Sequence, residues 1–131
     1  MTLLAIALTA GQLGIIAAIS GLAAPAVFGT VPGDAAGRYL RRLFPRYFAT
    51  AAIVAVAAGL TAVLAGHAGA GSLLAADVLC FVVALALVPR INAARDRGDP
   101  AFARLHALSV VLNAGGALLG LVALVLLALA V

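Results

Sequence analysis

Long apolar runs alternate with short connections along the chain, and the connections after the first and third runs carry its arginines. Four runs are long enough to cross a bilayer, since a spanning helix needs about 20 mostly apolar residues to bridge roughly 30 Å of hydrocarbon. They cover about residues 3–28, 46–66, 72–89 and 100–131. Cap and breaker signals set these limits. Pro25 bends or ends the first run, and Pro45 suits the first helical position of the second. Ser72 is placed to cap the third, which stops before Pro89. Asp99-Pro100 reads as a cap and first-turn proline for the fourth. The expected fold is an all-α membrane protein, one domain over residues 1–131, with four transmembrane helices in an up-down-up-down antiparallel bundle.

Polar side chains interrupt these runs. On the fourth, His106, Ser109, Asn113, Gly116 and Gly120 recur at three- and four-residue spacing and share one stripe of a helix. Leu108, Val111, Leu112 and Leu119 look elsewhere, so the stripe is expected to face the bundle. Its polar groups are either interhelical glue, worth about 0.6–2 kcal/mol each, or a pocket in which His106 binds a ligand or carries a proton. Asp77 is the acid inside an expected span, about a turn and a half into the third helix. There the helix N-terminus and nearby water would stabilise it. Gln12 and Thr61, at comparable depth, complete a candidate secondary outer polar site. Small residues mark further faces: Gly11, Gly14, Ala18 and Gly21 on the first run, and the GxxxG of Gly116 to Gly120. Such residues allow helices to approach closely, within the chain or in a homo-oligomer.

Composition narrows the class. Of 131 residues, 66% are hydrophobic and 9% charged, against about 25% charged in a soluble domain; mean hydropathy is +1.28. A soluble fold is excluded. The net charge of +4 comes from arginines alone, clustered at Arg38, Arg41, Arg42 and Arg46 and at Arg90, Arg95, Arg97 and Arg104. That placement, between apolar runs, argues against nucleic acid. By the positive-inside rule it puts both basic loops in the cytoplasm and both termini outside, in a bacterial-type inner membrane. From Gly33 to Phe44 a short amphipathic helix can lie among the headgroups, its arginines on anionic lipid phosphates. Residues 1–33 carry no ionisable side chain and no charged n-region, which favours a retained span over a signal peptide.

Catalytic and metal chemistry find little support. Cys80 is the single cysteine, and His67 and His106 fall at opposite ends of the expected bundle. Zinc needs about three or four protein ligands, and no cluster supplies them, so no metal site is assigned. No nucleophilic triad, P-loop or dinucleotide fingerprint occurs. A haem held by one histidine, or shared between subunits, stays open as a cofactor.

Four patches together carry a resemblance. They are Gly21 to Phe28 (GLAAPAVF), Arg41 to Phe48 (RRLFPRYF), Pro89 to Asp96 (PRINAARD), and the stretch with Leu105-His106, Ser109 and Asn113. In this order the chain resembles the domain-of-unknown-function family 4149, also called transmembrane protein 205-like. The resemblance implies a small four-span membrane protein without an assigned activity. It picks out Pro25, Phe44, Pro45, Pro89, Asn92, Phe102, His106, Ser109 and Asn113 as positions matching the family's pattern. A more distant likeness, to the copper-resistance D type and a haem-containing protoporphyrinogen oxidase, meets a first span that lacks histidine. Pro25, Pro45, Pro89, Asn92 and His106 are all expected at the arginine-bearing end. The candidate ligand site is therefore His106, Ser109, Asn113 and Asn92, with Arg90 and Arg46 attracting an anionic headgroup or small solute for binding or transport. A haem- or metal-linked redox protein and a structural or assembly subunit are the alternatives.

Overall fold

A computed structural model describes all of residues 1–131. Four helices, α1 (Thr2–Thr30), α2 (Gly33–Leu64), α3 (Ala68–Asp96) and α4 (Ala101–Ala128), are each long and apolar enough to cross a membrane. They form an antiparallel bundle in which α1 neighbours α2, α2 neighbours α3, α3 neighbours α4, and α4 closes back on α1. Both termini share one end, here the terminal end; the arginines gather at the other.

The helices outrun the apolar stretches that announce them. α2 starts at Gly33 and continues through Pro45, and α3 starts at Ala68 and continues through Pro89. The expected break at each proline, and a separate headgroup helix before Pro45, are thus corrected. A proline removes one backbone bond and crowds the carbonyl four residues back. Neighbouring helices and small local adjustments tolerate that loss in a membrane protein. The segment before Pro45 is amphipathic as expected, with Ala36 and Leu40 buried and Arg38 and Arg42 exposed, but it forms the first turns of α2. Ser72 does not cap α3. It lies one turn inside, its hydroxyl donating to the Ala68 carbonyl at 3.0 Å.

Pro25 has a different effect. α1 does not end there; residues Ala17–Ala23, just before it, widen into a π-helix. The Ala24 N–H reaches back to the Ile19 carbonyl, five residues instead of four. At the terminal end α1 lies against both α2 and α4. From the π-helical stretch onward it parts from α4 and keeps only sparse contact with α2. The second and third connections are tight turns closed by Gly66 (φ +88°) and Gly98 (φ +62°), left-handed positions suited to glycine. The Asp99 carboxylate accepts the Ala101 N–H at 2.8 Å and so starts α4 as the sequence suggests.

Two apolar layers fill the bundle. The terminal-end layer is mostly alanine, with Leu74 and Leu127 among Ala5, Ala58, Ala62, Ala70 and Ala123. The second is aromatic: Tyr47, Phe48 and Phe81 pack with Ile16, Ala51, Ala52 and Ala84. Outward faces carry leucine and valine, as helices surrounded by lipid require.

Candidate functional site

The parting of α1 from α4 opens a cleft of about 760 Å3 at the arginine end. Each wall is one helical face. α2 contributes Gly37, Leu40, Arg41, Phe44 and Phe48; α3 contributes Val88, Ile91, Asn92 and Arg95; α4 contributes Phe102, His106, Ser109, Val110 and Asn113. These spacings of three and four are those of one stripe on a continuous helix. Ser20, Ala24, Pro25 and Phe28 of α1 form the last wall.

His106, Ser109, Asn113 and Asn92 therefore line one space. Arg46 and Arg90 do not. The Arg46 guanidinium turns back to the Arg42 carbonyl at 2.8 Å, and Arg90 faces a smaller recess, about 400 Å3, beside Arg97 and Asp99. Arg41 and Arg95 take their places. The sequence held the signal: Arg95 lies three residues beyond Asn92, and Arg41 three before Phe44. Treating Pro45 and Pro89 as helix ends hid that phase.

The cleft's cations differ in state. Both Arg41 guanidinium nitrogens bond the Asp96 carboxylate, joining α2 to α3. Beyond the apolar part of α3, that pairing holds the Asp96 carboxyl below the ordinary carboxylate range. Arg95 has no carboxylate partner. It packs against α2 at Gly37, 3.5 Å from the point a side chain there would occupy. Its guanidinium carbon is 5.9 Å from the Phe102 ring centre, within cation–π reach. Phe102 in turn stacks on His106, rings 5.7 Å apart and inclined by 9°.

At the inner limit of the cleft three side chains close a ring. Ser20 donates to the Tyr47 hydroxyl at 3.3 Å, Tyr47 donates to Asn113 Oδ1 at 2.5 Å, and Asn113 Nδ2 donates to Ser20 Oγ at 3.3 Å. Three helices are thereby joined where α1 and α4 separate, and Phe81 of α3 meets the Tyr47 ring edge-on at 6.1 Å.

Nearer the terminal end, Gln12 and Asp77 meet across the bundle. Gln12 Nε2 donates to Asp77 Oδ2 at 2.7 Å, and both residues are wholly buried. Because α3 starts at Ala68, Asp77 lies about two and a half turns inside it, too deep for the helix terminus or bulk water to reach as the sequence suggests. Thr61 does not join the pair; its hydroxyl bonds the Ala57 and Ala58 carbonyls at 2.9 Å. Gly116 and Gly120 do, since a side chain at Gly116 would fall 2.7 Å from Asp77 Oδ1. The GxxxG thus seats α4 on the pair within one chain. Gly11, Gly14, Ala18 and Gly21 instead face outward.

His67 bonds Thr2 at 3.0 Å at the terminal end, at the opposite end of the bundle from His106. Nowhere do three His, Cys or acidic side chains converge.

A family profile described as domain of unknown function (DUF4149) matches residues 5–100. The chain belongs to that family, as a multi-pass membrane protein of unknown function. The match spans α1 to α3, so Phe102, His106, Ser109 and Asn113 lie outside it. No curated protein and no solved structure matches the chain.

Proposed function

We propose that the chain binds an anionic amphiphile, with a lipid headgroup as the leading case, in the cleft between α1 and α4. One observation carries the reading. Arg95, without a carboxylate partner, stands over Phe102 in a cleft whose remaining walls are largely apolar. A charged head would meet Arg95 and His106, with Asn92 and Ser109 offering further hydrogen bonds. The attached chain would lie along Pro25, Phe28 and Phe44. By the positive-inside rule the arginine end belongs in the cytoplasm and both termini outside, which assigns the headgroup to the inner leaflet. Transport of a small anionic solute would use the same groups. Were copies to associate through small residues, the outward face of α1 is the one left available.

Native mass spectrometry after incubation with equal phosphatidylglycerol and phosphatidylcholine tests the proposal. Selective retention of phosphatidylglycerol is expected, with at least a tenfold loss in Arg95→Ala, an interaction difference of about 1.4 kcal/mol. Equal retention of both lipids, or no change in Arg95→Ala, refutes the reading. Selective capture of a soluble anion would move it to the solute form.

A further inference from the structure

The Gln12–Asp77 pair has an imbalance that hydrogen-bond counting exposes. Asp77 is fully buried, Oδ2 takes the Gln12 N–H, and Oδ1 has no partner. Gln12 Oε1 is the other buried side-chain oxygen without one. Two acceptors are left over and no donor. Every arginine lies at the far end of the bundle, so no cation balances a carboxylate here. Among titratable neighbours, Cys80 on α3 and Tyr47 on α2 are close enough to feel the charge at Asp77. α1 brings the neutral Gln12, and α4 brings Gly116 and Gly120. An ionised, half-bonded carboxylate in such surroundings is strongly disfavoured. One proton on the carboxyl removes that charge.

We propose that Asp77 is a proton-binding site, closed by Gln12 and by the Gly116–Gly120 face of α4, and that releasing the proton requires α4 to move outward. The second half follows from the contacts. Oδ1 faces Gly116 and the Phe81 ring, with a side-chain position at Gly116 only 2.7 and 2.8 Å from them. Water has no room beside that oxygen while α4 stays seated. α4 also carries Ser109, Asn113 and His106 into the cleft, so proton release at one level displaces a cleft wall at another. The proton site itself does not depend on what the cleft binds.

The chain has four acidic side chains, Asp34, Asp77, Asp96 and Asp99, which makes infrared assignment direct. Spectra of the full chain in dodecyl maltoside, a detergent without carbonyl groups, should show a protonated-carboxyl stretch at pH 7 that shifts in D2O. Asp77→Asn should abolish it completely, and the variant with Asp34→Asn, Asp96→Asn and Asp99→Asn should keep it. That triple variant secures the assignment if Asp77→Asn does not fold. As pH rises, loss of the band should coincide with amide exchange around Gly116 that speeds up beyond the intrinsic base-catalysed rate. Absence of the band at pH 7, or its survival in folded Asp77→Asn, overturns the site. Loss of the band on adding sodium chloride would mean a cation site and overturns it equally. Band loss without faster exchange overturns the coupling to α4.

Discussion

The bundle holds two polar regions built from similar side chains in opposite surroundings. Gln12 and Asp77 are sealed between an alanine layer and an aromatic one, with α4 so close at Gly116 that only glycine fits there. Asn92, Ser109, Asn113 and His106 border an open cleft. The cause is the path of α1. Before Ala17 it lies on α4 and closes the bundle; beyond the π-helical stretch it departs and leaves a space. Polar groups in the sealed region must satisfy one another, so each imbalance there is chemically informative. Those in the cleft can be satisfied by whatever enters.

That contrast can be broken in three ways. The largest effect is expected from Gln12→Leu, which takes from Asp77 its one hydrogen-bond donor. A loss of about 1–3 kcal/mol follows from leaving a buried polar group unpaired, read from unfolding in mixed micelles. A variant as stable as the parent would mean that water already reaches Asp77.

Next comes a pair of neighbours. Alanine at Gly116 places a methyl 2.7 Å from Asp77 Oδ1 and 2.8 Å from Phe81, whereas at Gly115 nothing lies within 4 Å. Overpacking costs about 1–3 kcal/mol, and better helix propensity returns up to about 1. Gly116→Ala should therefore unfold earlier than the parent and Gly115→Ala no earlier. Equal midpoints for the two variants would deny that α4 is seated on the pair.

Tyr47→Phe should have the smallest effect. It removes two bonds of the Ser20–Tyr47–Asn113 ring, yet water from the cleft can replace them. Interhelical hydrogen bonds average about 0.6 kcal/mol in membranes, and a loss near that size is expected. A loss as large as that of Gln12→Leu would show the ring to be as sealed as the deeper pair.

Much of this was legible in the sequence, for identifiable reasons. Helix number follows from bilayer thickness, which asks for long apolar runs whatever their detail. The stripe on α4 was readable because 3.6-residue periodicity runs from His106 to Gly120; Ser109, Gly116 and Gly120 are buried and Asn113 half-buried, while His106 is exposed at the mouth of the cleft. Phase near prolines was not readable. Pro45 and Pro89 look like helix ends by soluble-protein rules, but neighbouring helices hold α2 and α3 continuous through them. That continuity selects Arg41 and Arg95 for the cleft and turns Arg46 and Arg90 away. Direct contact between Gln12 and Asp77 was suggested by their equal depth. Burial of the pair was not, because it depends on how closely Gly116 and Gly120 let α4 approach.

The π-helical stretch of α1 acts as a phase setting. Every residue after Ala23 owes its compass bearing to the number of residues between Ala17 and that point. Winding the same residues as a plain α-helix would swing Pro25 and Phe28 by about one residue's rotation, roughly 100° at 3.6 residues per turn, from the cleft wall towards lipid. The length of that stretch, more than the identity of any side chain in it, chooses which part of α1 the cleft can see.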